Sequence, residues 1–241
     1  MRMWGFLVAI FLSTVSPSFA QQPSWTQKFP AQSPPAGGAP MAYDSARQQV
    51  ALFTDSCHTS VPDTWIWDGN AWTEKFPATS PPARCGANLV YDSARNEVVL
   101  FGGSAICPNT QFNDTWVWDG TNWTQRFPAS SPPPRAGAGV AYDAAHQQVL
   151  LFGGVDCGPL LRGDTWVWDG SNWTQKFPAH TPSARNAPNM AYDAPRQQVV
   201  LFSGSPCVGC IADDTWVWDG TDWTQQFPTT SPSARFGSVM A

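Results

Sequence analysis

Charged side chains are scarce in this chain. Lys, Arg, Asp and Glu together make up 13% of the 241 residues, the formal net charge is −5, and the basic residues stand singly rather than in runs. A nucleic-acid backbone is gripped by clustered Lys and Arg, so no nucleic-acid partner is expected. Histidine is rarer still, with three copies, His58, His146 and His180, in three unlike settings. No Gly-x-Ser-x-Gly, phosphate loop or metal-binding helix motif occurs. Acidic neighbours such as Asp213 and Asp214 point to opposite faces of a strand and do not form an acid/base pair. The chain therefore reads as a non-enzyme, with no catalytic residue, metal or cofactor expected. Beyond the N-terminus no stretch approaches the roughly 18 apolar residues of a membrane helix, and no membrane partner is expected.

The first 20 residues read as a segment that is removed. Arg2 supplies a positive start, residues 5–12 (GFLVAIFL) an apolar stretch, and Ser18-Phe19-Ala20 a small-residue cleavage site. This is the pattern of a secretory signal peptide cleaved after Ala20, which makes residues 21–241 the mature chain and its destination secreted or periplasmic. An oxidising compartment favours disulfides over metal thiolates.

Aromatics and turn formers are abundant. Fourteen Trp, 14 Phe, 23 Pro and 19 Gly suit short half-buried strands separated by tight turns, and no long amphipathic helix is legible, so the fold class is all-β. Asp114–Phe127 (DTWVWDGTNWTQRF) has counterparts starting at Asp63, Asp164 and Asp214, at spacings of 51, 50 and 50 residues. A period near fifty marks a repeated supersecondary unit that cannot bury its faces alone. In the third repeat four strands are predicted: 136–142 (AGAGVAY), 148–152 (QVLLF), 165–168 (TWVW) and 172–177 (NWTQKF). The Gly- and Ala-rich first strand suits a crowded axis, and the continuous apolar second strand suits burial on both faces. Asp-Gly between strands three and four predicts a hairpin turn. The Asp after Tyr43, Tyr91, Tyr142 and Tyr192 predicts an Asx-type turn between strands one and two. Four antiparallel strands, repeated, are blades of a β-propeller.

These residues resemble the kelch repeat family. Phe101-Gly102-Gly103 and Phe152-Gly153-Gly154 match its hydrophobic-diglycine end of strand two, and Trp118 with Trp123 its spaced aromatic pair. The diglycine is replaced by Thr54-Asp55 in the first repeat and Ser203-Gly204 in the fourth. Four complete blades are expected at about 41–76, 87–127, 137–177 and 187–227, with stray strands at 24–29 and 235–241. The resemblance implies closure with more blades than this, so the propeller is expected to be incomplete. Its open sheet edges could support oligomers.

Positions that vary between blades on a shared face are candidates for ligand recognition. They fall in the loops after strand two, 55–62, 104–113, 155–163 and 205–213, where His58 and Asp156 join the candidate binding residues. Arg84, Arg135, Arg185 and Arg235 precede strand one on the same face, whereas the first repeat has Gly37 there. They read either as a cationic ring that grips an anionic group or as structural partners of Asp63, Asp114, Asp164 and Asp214 at the start of strand three. The Trp residues read as inter-blade packing or as sugar platforms, and their fixed blade positions favour packing. Cys57, Cys107, Cys157 and Cys207 recur at steps of 50, with Cys85 and Cys210 added. Cys57 with Cys85 and Cys207 with Cys210 are the pairings that adjacency suggests, and Cys107 and Cys157 either meet or stay unpaired. The expected function is an exported recognition or scaffold module for a protein or glycan. The alternatives are part of a secreted carbohydrate-active enzyme and a structural protein that associates through its edges.

Overall fold

The computed structural model describes residues 26–35, 39–54, 62–105, 110–156, 158, 160–235 and 240, and every regular element among them is a strand. The first blade comprises β1 (Met41–Asp44), β2 (Gln49–Phe53), β3 (Thr64–Trp67) and β4 (Trp72–Lys75). The second comprises β5 (Asn88–Asp92), β6 (Glu97–Phe101), β7 (Thr115–Trp118) and β8 (Trp123–Arg126). The third comprises β9 (Gly139–Asp143), β10 (Gln148–Phe152), β11 (Thr165–Trp168) and β12 (Trp173–Lys176). The fourth comprises β13 (Asn189–Asp193), β14 (Gln198–Phe202), β15 (Thr215–Trp218) and β16 (Trp223–Gln226). Each blade is an antiparallel sheet with its strands in sequence order.

The turns follow from their residues. In the loop between β7 and β8, Asp119 Oδ1 accepts the backbone N–H of Thr121 at 2.7 Å and of Asn122 at 2.8 Å, while Gly120 takes φ of 99°. The aspartate works through its carboxylate and the glycine alone takes the left-handed backbone. Between β5 and β6, Asp92 Oδ1 accepts from Ala94 and Arg95, and Asn96 closes the turn at φ of 55°.

The cores lie between blades. Period-two alternation sends Val98 and Leu100 of β6 toward the first blade, where they meet Phe53 and Ile66, and sends Val99 and Phe101 toward Trp168 and Trp173 of the third. A second strand with both faces buried explains its unbroken apolar sequence. The same arrangement recurs where Leu150 and Phe152 meet Trp218 and Trp223. The first strands are innermost, with β1 packed on β5, β5 on β9 and β9 on β13. Among the described residues this succession does not close into a ring, so the propeller is incomplete.

Some boundaries differ from expectation, the fourth strand of the third blade spanning Trp173–Lys176 rather than 172–177. The first strand of the third blade begins at Gly139 rather than 136, because Ala136 instead bridges to Val155 and Gly137 takes φ of 61°. Residues 26–29 are exposed and outside any ladder, since no third strand stands beside them among the described residues. The expected signal peptide (residues 1–20), residues 24 and 25 of the first expected stray strand and residues 236–239 and 241 of the last lie outside the described residues.

Candidate functional site

The segment entering each first strand and the loop leaving each second strand come together at one end of the blades. Cys85 and Ser104 exchange backbone hydrogen bonds of 2.7 and 2.9 Å, and Ala136 with Val155 and Asn186 with Ser205 repeat the pairing. Main-chain bonds also cross from blade to blade here, from Gly137 N to Gly86 O at 2.9 Å and from Ala187 N to Gly137 O at 2.7 Å. These bonds form a rim joining neighbouring blades at the mouth of the channel between the first strands.

Three of the four arginines lie beneath this rim and are fully buried. Arg84 Nη1 and Nη2 donate to Asp114 Oδ1 and Oδ2 at 2.6 and 2.9 Å, Nη1 also to Gly102 O at 2.9 Å, and Nε to Pro82 O at 3.0 Å. Arg135 does the same with Asp164, Gly153 and Pro133, and Arg185 with Asp214, Ser203 and Ser183. These planar forks are spent on protein acceptors, which places Arg84, Arg135 and Arg185 in clamps that tie strand one to strand three. They do not form a cationic ring open to solvent. Arg235 is exposed, its side chain bonding Ser233 and its main chain Ser203 Oγ among the described residues.

Each clamp includes an indole. Trp116, Trp166 and Trp216 donate Nε1–H to Oδ2 of Asp114, Asp164 and Asp214 at 2.7, 2.7 and 2.8 Å. Burial pushes the Asp164 and Asp214 carboxyls up, but bonds from the arginine and the indole outweigh it and hold both below the usual carboxylate range. Asp63 in the first blade pairs with no arginine among the described residues, and burial raises its carboxyl instead.

The channel mouth is a cavity of about 420 Å³ lined by first-strand residues, chiefly Met41, Leu89, Val140 and Met190, with Ala and Gly between them. Asn88 also lines it, and its buried Nδ2 has no hydrogen-bond partner. Outside the rim, Leu160, Val208 and Ile211 are exposed in the third- and fourth-blade loops. Asp156 stands 3.6 Å from Arg162 in the third-blade loop. These apolar loop residues escaped the sequence reading, where only their variability could be seen.

The Trp residues of the blades are mostly core. Trp118, Trp123, Trp168, Trp173, Trp218 and Trp223 are buried in tilted pairs with ring centroids 5.4–5.6 Å apart. His146 and His180 sit apart, on Asp143 and Asp222 respectively, each at 2.8 Å. Cys207 and Cys210 form a disulfide within the fourth-blade loop. Cys85 is also disulfide-bonded, with its partner outside the described residues. Cys57, His58, Cys107 and Cys157 lie outside the described residues. Among the described residues no three His, Cys, Asp or Glu gather as metal ligands, and no helix is long and apolar enough to cross a membrane.

Four-stranded antiparallel blades set side by side about a channel, with diglycine turns feeding buried arginine clamps, define a kelch-type β-propeller. The KLHDC2/KLHL20/DRC7 Kelch-repeats domain matches residues 45–241, and the chain belongs to this Kelch-repeat family. Domains of this family are generally non-catalytic modules of protein interaction. No curated protein matches the chain.

Proposed function

We propose that this propeller is an exported, non-catalytic module that grips a protein partner with its loop face. The observation carrying this reading is the set of exposed apolar side chains, Leu160, Val208 and Ile211, in the loops that differ between blades. Apolar anchors on a framework of main-chain hydrogen bonds suit a protein surface. The tryptophans, the natural platforms for a glycan, are mostly spent on the core, with eight of the twelve in the blades buried. Export rests on the N-terminal segment, and the loop disulfide accords with it.

Selection of peptides from a displayed library against the mature chain tests this, with a glycan array run in parallel. Selected peptides should lose at least about tenfold in affinity to a Leu160→Ser/Val208→Ser/Ile211→Ser variant, the loss of about 1.4 kcal/mol or more expected of an anchor cluster. They should bind a control with an exposed apolar residue removed elsewhere, Phe177→Ser after β12, unchanged. Equal binding to the loop variant, or glycan binding alone, would sink the proposal.

A second reading, association of copies, is favoured by the two end faces. Trp123, Trp173 and Trp223 each donate Nε1–H to a third-strand threonine of the preceding blade, Thr64, Thr115 and Thr165, at 2.8, 2.8 and 3.0 Å. The same halves are left over at the ends: Trp72 on the first blade and Thr215 on the fourth are both part-exposed. Head-to-tail contact between copies predicts that Trp72→Ala and Thr215→Arg each give monomers by light scattering, and that mixing the two variants restores dimers. No recovery on mixing would rule the contact out.

A further inference from the structure

In three blades the first tryptophan of strand three and the aspartate two residues before it belong to one unit with a buried arginine. Oδ2 of Asp114, Asp164 or Asp214 accepts from the indole and from Nη2 of the arginine together. The first blade keeps the carboxylate and the indole. Trp65 lies opposite Glu74 as Trp116 lies opposite Gln125, so the backbone register is unchanged. The guanidinium is missing, because Gly37 stands four residues before strand one where the other repeats have arginine.

The consequence is visible in both remaining groups. Among the described residues no cation pairs with Asp63, and Nε1 of Trp65 is buried without a hydrogen-bond partner, the residue being 7% exposed. Nε1 of Trp118, Trp168 and Trp218 is buried without a partner too, but that is the repeat's ordinary state for the second tryptophan of the strand. Trp65 differs in lacking a bond that its three counterparts make. Thr54 stands where Gly102, Gly153 and Ser203 take positive φ. It does not take that conformation, and its hydroxyl bonds the main chain of Asp63. The first-blade site therefore differs from the clamps in its carbonyl as well as in its cation.

We infer that Asp63 and Trp65 form a receptor for a guanidinium group supplied from outside the first blade, the chemistry of an arginine side chain. The planar fork gives two parallel N–H donors to the two carboxylate oxygens, which a lysine ammonium cannot do. Fixing the carboxylate in the clamp geometry brings Oδ2 to the indole N–H, so binding makes a second bond that the ligand does not itself touch. This inference is independent of the loop-face reading, since none of its residues lies in those loops.

The test is an indole ¹⁵N–¹H titration of the mature chain with N-acetyl-arginine amide, with N-acetyl-lysine amide as control. One indole signal, identified by its loss in Trp65→Phe, should move downfield with the arginine probe and not with the lysine probe. Asp63→Asn should weaken the response at least about tenfold, as removal of a charged acceptor does. Gly37→Arg, which keeps the carboxylate, should move the signal downfield without probe and abolish the response. A protein source is distinguished by Arg235, which has no carboxylate partner among the described residues. If a neighbouring copy's Arg235 already fills the site, the wild type is silent and Arg235→Gln restores the response. Silence in both backgrounds, or equal response to lysine, overturns the inference.

Discussion

Arg135 and Asp164 meet through two parallel hydrogen bonds, 2.6 and 2.8 Å, at a point where the arginine has no exposed surface. A desolvated ion pair is weak evidence of net stabilisation, yet removing one member strands the other. Arg135→Ala leaves the Asp164 carboxylate with the Trp166 indole as its side-chain donor but no cation, and the carbonyls of Gly153 and Pro133 without the guanidinium. Its expected cost is about 3–5 kcal/mol. The same change at the exposed Arg235 should stay within about 0.5 kcal/mol, as for surface positions generally. Urea unfolding of the two variants checks the contrast, read by Trp fluorescence. Equal costs would mean that the pair does not hold strand one to strand three.

The carboxylates respond to acid with opposite signs. Asp164 and Asp214 have folded-state values below their unfolded ones. Their contribution is present above about pH 4, the unfolded range, and is lost as pH falls through the lowered folded values. Asp63 is shifted upward by burial, so its ionisation opposes folding as pH rises. Asp164→Asn should therefore lower the unfolding midpoint at pH 7, with a smaller gap to wild type at pH 3. Asp63→Asn should leave the midpoint unchanged or raise it at pH 7. Thermal scans at both pH values decide this, and a lowered pH 7 midpoint for Asp63→Asn would contradict the assignment.

Much of the fold is legible because each blade repeats its own grammar. QVLLF at 148–152 and TWVW at 165–168 coincide with β10 and β11, since a strand buried on both faces and a tryptophan pair flanked by Asp-Gly leave little choice of element. The start of β9 was not legible, because the clamp at Arg135 bends the chain through Gly137 before pairing begins. Both roles for the arginines stay open in the sequence because spacing fixes the face of a residue but not the direction of a long side chain. The bonds from Trp173 to Thr115 and from Trp223 to Thr165 join residues 58 apart, and they depend on how blades stack. Asp156 is recognisable as a loop residue, while its proximity to Arg162 depends on the loop's path.

The tryptophan–threonine bonds give a prediction with an internal control. Thr115→Val keeps the volume but leaves the indole N–H of Trp173 buried and unpaired, at a cost of about 1–3 kcal/mol. Thr215→Val is the same chemistry with no indole donating to it among the described residues, and should cost less than about 0.5 kcal/mol. Thermal midpoints of the two single variants are compared at equal concentration. A smaller loss for Thr115→Val than for Thr215→Val would show that the cross-blade bond is not a source of stability.

The Asp-Gly turns supply the last contrast. Gly170 and Gly69 have nearly the same backbone, φ of 95° and 98°, so a side chain at either meets the same conformational strain, about 1 kcal/mol. Their surroundings differ. A Cβ on Gly170 would run into the guanidinium of Arg95 from the second blade, which donates to Asp92 at 2.7 Å and to Gln147 O at 3.0 Å. A Cβ on Gly69 meets nothing within 4 Å, because no blade precedes it among the described residues. Gly170→Ala must pay for the displaced arginine as well as the strained turn, and should lose about 1–2 kcal/mol more than Gly69→Ala, the scale of a charged hydrogen bond. Adding Arg95→Ala to both backgrounds should erase the difference, because the obstacle is then gone. A difference that survives Arg95→Ala would place its origin in the turn itself and not in the contact between blades.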